Sequence, residues 1–173
     1  EIAKSYIKNT TIQSIYVTTN ASLPDRVENF ARTVIGLDKD IELTFQISID
    51  DLPDKHDRVR KIKNLFNNCV DTYQRLLLID PRVTPIVSIT VSHENCENIE
   101  EIFEHLTITC KINSLKCTIV RDEGVYKTPK EKREKIYKAY SWLTNKINEF
   151  TDQKKINNYN LKSIQGKLHN KKD

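Results

Sequence analysis

Runs of β-branched and apolar residues alternate with segments of helical periodicity along this chain, and that alternation restricts it to a parallel α/β arrangement. A short helix is predicted around Ile2–Lys8, then a strand near Ile12–Thr19. Val27, Phe30, Ala31 and Val34 follow at i, i+3, i+4, i+7 spacing and predict a second helix. The second strand, Ile41–Ile49, runs into Asp50-Asp51. One long helix is expected next, with Val59, Ile62, Phe66, Cys69, Val70, Tyr73 and Leu77 along one face. Val83–Val91 is largely β-branched and reads as a strand buried on both faces. Ile99, Ile102, Phe103 and Leu106 mark a short helix, and the fourth strand lies near Ile112–Val120. The last long helix opens on Thr128 as N-cap, Pro129 at the first helical position and Glu131 completing a capping box. Its apolar face is Ile136, Tyr140, Leu143, Ile147 and Phe150.

The expected fold is therefore four parallel strands with right-handed crossover helices, a half barrel or an open sheet. Residues 1–150 form this unit. Residues 151–173 make a basic, helical or partly ordered tail, with Ile156, Leu161, Ile164 and Leu168 as thin apolar support.

Composition removes several classes of function. At 38% hydrophobic and 30% charged over 173 residues, the chain can bury a core and does not read as disordered. No apolar run approaches the ~18 residues of a spanning helix, so a cytoplasmic location without membrane contact is expected. The net charge of +4 comes largely from the last stretch, which reads as a solvated basic end without a base-stacking motif, so nucleic acid is not expected as a partner. Cys69, Cys96, Cys110 and Cys117 include no C-x-x-C pair, and Cys69 on an apolar helical face and Cys117 on a strand read as small core residues of a reducing compartment. The 3 glycines exclude a phosphate-cradling loop and a dinucleotide fingerprint. Neither a G-x-S-x-G elbow nor an H-E-x-x-H pair is present.

Chemistry in parallel α/β folds sits at the carboxyl ends of the strands. Those ends carry Thr18, Thr19 and Asn20; Ser48, Asp50 and Asp51; Thr90, Ser92, His93 and Asn95; and Arg121, Asp122 and Glu123. All are polar, and they suit hydroxyls, amines or carboxylates. Strand ends that merely meet solvent would also be polar, with Asn95 or Asn98 capping a helix.

The order of these segments, "YVTTNA", "FQISIDDLPDKHDRVR", "VSITVSHEN" and "CTIVRDEG", resembles the later strands of radical S-adenosylmethionine enzymes. The resemblance spans about residues 1–150, and "SIDDLPDKHDRVR" with its following helix is its most specific part. It implies the second part of a partial (β/α)6 barrel that holds S-adenosylmethionine beside a [4Fe-4S] cluster. Such enzymes cleave the sulfonium reductively and start radical chemistry on a substrate, which the strand ends do not identify. The C-x-x-x-C-x-x-C cluster loop is not in this sequence, so the resemblance implies a piece of a longer polypeptide that is inactive by itself. By the same matching, Ser48 and Asp50 would approach the cofactor's ribose or amino-acid end. Thr90 and Ser92 would line its adenine side, with Asn95 near the next helix start. Asn20 and Arg121 would reach the cofactor carboxylate or the substrate. Ala21 and Asp51 stand where relatives carry Gly.

Two other readings fit the residues. Asp50 and Asp51 could bind a divalent ion for nucleotide-sugar chemistry, because adjacent carboxylates suit a hard cation. Alternatively the chain is a non-catalytic interaction domain, whose exposed sheet edges invite self-association.

Overall fold

The computed structural model describes residues 1–37, 40–121 and 129–169, the side chains of 155–169 excepted. The elements run α1 Ile2–Asn9, β1 Ser14–Thr19, α2 Pro24–Leu37, β2 Glu42–Ser48, α3 Pro53–Arg60, α4 Leu65–Leu77, β3 Val83–Val91, α5 Ile99–Glu104, β4 Leu115–Ile119 and α6 Arg133–His169. The four strands form one sheet in the order β1-β2-β3-β4, and each neighbouring pair is parallel. Helices lie between them, so the α/β arrangement expected from the alternation is the one observed.

Register divides the sheet into two unlike faces. Ile15 pairs with Leu43, Leu43 with Val83 and Val87 with Leu115, so these residues share a face with Phe45, Ile47, Ile49, Ile89 and Val91. This face is the core: Leu43, Ile47, Ile49, Val87, Ile89 and Val91 are fully buried. α2, α4 and α6 cover it. Phe30 of α2 stacks edge-on against Phe45 at 6.2 Å, and Thr144 of α6 meets Cys117 at 3.3 Å. The opposite face carries Tyr16, Thr18, Thr44, Gln46, Ser48, Ser88, Thr90, Lys116 and Thr118. No described helix covers it. Tyr16 donates to Gln46 Oε1 at 2.8 Å and accepts from Lys116 Nζ at 2.6 Å, so side chains from three strands lie together across this open face.

That arrangement corrects the expectation for β3 in part. It is buried along its whole helix side, while on the other face only Ser88 is buried; Thr84 is exposed, and Ile86 and Thr90 are half-buried. β-Branching is favoured on any pleated surface and does not report whether both faces are covered.

The long helix after β2 is two helices. α3 ends at Arg60, with Lys61 in the left-handed region (φ 56°), and Asn64 before α4 is left-handed too (φ 61°). Asp57 bridges the break, since its Oδ1 accepts the N–H of Phe66 at 2.8 Å and satisfies one of the free donors at the start of α4. Val59 and Leu77, expected on the buried face, are 51% and 45% exposed. The stripe that packs is Leu65, Phe66, Cys69, Thr72, Tyr73 and Leu76.

Tyr73 ties α4 to the loop before β4. Its ring is fully buried, and its hydroxyl accepts the N–H groups of Asn113 and Ser114 at 3.0 and 3.1 Å. Tyr73→Phe keeps the ring and strands two backbone donors, so it is expected to cost about 2 kcal/mol. The check is a lower urea midpoint at unchanged slope.

α6 lays Ile136, Ala139, Leu143 and Ile147 on the core and runs past residue 150 without interruption. Pro129 is not in its first turn. It is extended and precedes a single 3₁₀ turn, Lys130–Lys132, whose last N–H returns to the Pro129 carbonyl at 2.9 Å. Thr128, Asp122 and Glu123 lie outside the described residues, as do the side chains of Ile156, Leu161, Ile164 and Leu168. No helix among the described residues is long and apolar enough to cross a membrane.

Candidate functional site

β2 and β3 end side by side, with Ser48 opposite Ser88, and the chain leaves each strand through a polar turn. Asp50 stitches the two ends together. Its Oδ1 accepts the N–H of Thr90 at 2.9 Å, and its carbonyl accepts Nδ2 of Asn95 at 2.6 Å. Asn95 is 1% exposed and uses every polar atom of its amide. Nδ2 also donates to the Thr90 carbonyl at 2.9 Å, and Oδ1 accepts the N–H of Ser92 at 2.8 Å. Parallel strands have no hairpin to hold their ends in register, and these side chains take over that task.

Asp51, next along the chain, points to other partners. Buried to 3% exposure, it accepts the N–H of Leu52 at 2.9 Å and Nδ2 of Asn98 at 3.1 Å, and pairs with Lys55 at 2.9 Å. Lys55 in turn donates to the Glu94 carbonyl. Asp51 is not among the residues with positive φ, so a side chain is accommodated here without strain. Ala21 does have positive φ (52°), at the end of β1, in the region where Gly carries no steric cost.

A cleft of 480 Å³ opens between these ends, lined by Asp50, His56, Arg60, Thr90, Ser92 and Asn95 among others. That volume lies within the roughly 300–1,000 Å³ of small-molecule sites. Asp50 offers it little, because Oδ1 is taken by Thr90 and Oδ2 by the Arg60 guanidinium. His56 and Arg60 both come from α3, and Pro53 at its first position starts that helix just beyond the strand end.

His56 is 1% exposed. The N–H of Asp50 donates to its Nδ1 at 3.3 Å, which places the proton of the neutral ring on Nε2, and Nε2 is buried with no partner. Burial is the main cause that holds the His56 pKa below the usual histidine range. Arg60 adds to the depression, while Asp50, Asp57 and Asp51 oppose it. The unfolded chain, with histidine near pH 6.5, therefore binds the proton first as pH falls. Stability contributed by neutral His56 is present above about pH 6.5 and is lost on acidification below it. His56→Gln should flatten the stability profile between about pH 7.5 and 5.5, measured as urea midpoints; an unchanged slope would contradict this assignment.

Of the residues expected at the site, Asp50, Thr90, Ser92 and Asn95 line this one cleft. Ser48 sits on the open sheet face, two residues before Asp50. Asn20 is at the far end of β1, its Oδ1 accepting the N–H of Ser22, and it lines a separate groove with Leu23, Val27 and Phe30. Arg121 is exposed beyond β4. His56 and Arg60 were not singled out from the sequence, although both stand in the segment "SIDDLPDKHDRVR".

The cysteines lie apart from the cleft lining. Cys69 is fully buried in α4 near the Asn20 carbonyl, and burial pushes its thiol up to about 12. Burial also raises Cys110 and Cys117. Among the described residues, no three His, Cys, Asp or Glu side chains are grouped to hold a metal ion.

No protein-family model, no curated protein and no solved structure matches this chain.

Proposed function

We propose that this chain is the second part of a partial (β/α)6 barrel from a radical S-adenosylmethionine enzyme, with S-adenosylmethionine held at the β2–β3 cleft. One observation carries the reading. The strands follow one another in sequential order with their helices on one face, which leaves the other face open and polar. A doubly wound sheet would reverse its strand order and clothe both faces. A barrel wall does neither, and its inner face can line a ligand cavity.

S-adenosylmethionine fits the residues present. The cleft has the volume of a small-molecule site, and His56 and Arg60 offer donors to ribose or carboxylate oxygens. Beside a reduced iron–sulfur cluster, the cofactor would supply radical chemistry to a substrate. The cluster itself does not fit here. Cysteines held protonated by burial are poor iron ligands, and these four are not brought together. In this reading the cluster ligands come from outside these 173 residues, and this chain's part is to bind and orient the cofactor.

Two results are expected. Calorimetry finds S-adenosylhomocysteine bound to the chain, and the polypeptide with its native flanking sequence, reconstituted with iron and sulfide, releases 5′-deoxyadenosine. The absence of both cluster assembly and nucleoside binding would sink the proposal. The divalent-ion alternative is disfavoured because Asp50 and Asp51 diverge onto Arg60 and Lys55. The interaction-domain alternative draws on one feature, the apolar groove of Val17, Leu23, Val27 and Phe30 beside the β1 edge.

A further inference from the structure

The cleft is built from donors whose acceptor is not supplied by the chain. His56 Nε2 is buried, carries the ring proton and has no hydrogen-bond partner, the ring packing edge-on with Phe66 at 6.2 Å. A buried polar atom left so costs free energy that a ligand could recover. Arg60 stands beside it at 36% side-chain exposure and uses one of its five N–H donors on Asp50. The two strand-end acids are already matched to bases, Asp50 to Arg60 and Asp51 to Lys55 at 2.9 Å, and Glu94 lies 3.0 Å from the His93 imidazole. An anion held between His56 and Arg60 meets no bare carboxylate of the Asp50–Asp51 turn.

We infer that His56 and Arg60 form an oxyanion subsite, in which Nε2–H of His56 and a free guanidinium N–H of Arg60 hold one carboxylate or phosphate group of the ligand. Asp50 is the positioning residue. Its backbone N–H fixes the His56 tautomer, and its Oδ2 fixes the guanidinium, so one residue aims both donors. Ser92 and Asn95 shape the wall, and their polar atoms turn to the backbone: Ser92 Oγ accepts the Glu94 N–H at 3.2 Å, and the Asn95 amide is fully engaged. Specificity for the charged end of a ligand thus falls to α3 rather than to the strand-end residues.

The inference concerns the same cleft as the proposal above and rests on it only for the choice of nucleoside probes. The experiment follows the imidazole nitrogens of His56 in ¹⁵N-histidine-labelled chain during three titrations. S-adenosylhomocysteine carries the nucleoside and a carboxylate, 5′-methylthioadenosine carries the nucleoside without the carboxylate, and inorganic phosphate carries only the oxyanion. In the free protein, Nε2 should be protonated and Nδ1 bare; the opposite tautomer overturns the inference. S-adenosylhomocysteine should then move the Nε2–H resonance, and 5′-methylthioadenosine should bind without moving it. Arg60→Gln, at an exposed position, should weaken S-adenosylhomocysteine about tenfold or more and leave 5′-methylthioadenosine unchanged. Movement of Nε2–H by phosphate alone, with neither nucleoside bound, supports the oxyanion subsite and removes the nucleoside reading. Binding of both nucleosides with His56 undisturbed does the reverse. If no probe moves His56, the subsite is wrong.

Discussion

Asn95→Ala is expected to lower the unfolding free energy by about 4 kcal/mol, a large part of the roughly 5–15 kcal/mol that holds an ordinary domain together. Asn95 is buried to 1% exposure, and its side chain makes three hydrogen bonds, to the carbonyls of Asp50 and Thr90 and to the N–H of Ser92. Truncation leaves all three backbone groups without that partner in a half-buried turn, at about 1–3 kcal/mol for each group that water fails to reach. Water entering the space from the cleft offsets part of this, which sets the figure nearer 4 than the sum. Guanidinium titrations should show a lower midpoint with the slope kept. Ser92→Ala is the control, because Ser92 Oγ accepts only the N–H of Glu94 at 3.2 Å and its loss should cost under about 1 kcal/mol. Equal effects from the two substitutions would mean that Asn95 does not hold the strand ends.

Asp51→Ala is the second large effect, at about 3 kcal/mol. The carboxylate is 3% exposed and holds Leu52, Lys55 and Asn98 at once. Removing one partner of a buried pair costs more than the pair contributes, since the remaining charge stays poorly solvated. Lys55 is 27% exposed and can turn partly to water, which keeps the effect at the lower end of such cases. Asp51→Asn retains the hydrogen bond from Leu52 and should recover about half of the loss. Thermal midpoints in low and high salt separate the two contributions: the Ala variant should narrow the salt dependence, the hydrogen bonds being insensitive to screening.

How far the sequence reaches is best seen around these residues. Strand and helix alternation was legible because apolar period changes from two to about 3.6 at each boundary, and Val83–Val91 coincides with β3. The break at Lys61–Asn64 was not. Val59, Ile62 and Phe66 keep helical spacing straight through it, and the two left-handed residues are Lys and Asn rather than Gly. The open face was legible in principle: Tyr16 and Thr18 alternate with half-buried Ile15 and Val17, and Thr44, Gln46 and Ser48 with buried apolar residues. β3 is less plain, because Ile86 stands on that face among Thr84, Ser88 and Thr90. At the site, strand ends located Asp50, Thr90, Ser92 and Asn95, because backbone topology alone brings them together. Topology could not place His56 and Arg60. Their positions depend on where α3 begins and on a ring nitrogen meeting the Asp50 N–H, a contact no periodicity encodes.

The stitch between Asp50 and Asn95 also bears on how such a cleft can diversify over generations. Residues whose side chains hold the backbone cannot drift freely, since each exchange exacts a penalty of several kcal/mol before any new ligand rewards it. Mutational tolerance is therefore uneven around the cleft. Val59, half exposed on α3, and Val120, just past β4, line the same space without binding the strands together. Lineages that alter what this cleft accepts should accumulate their changes there, around an Asp50–Asn95 pair that stays as it is.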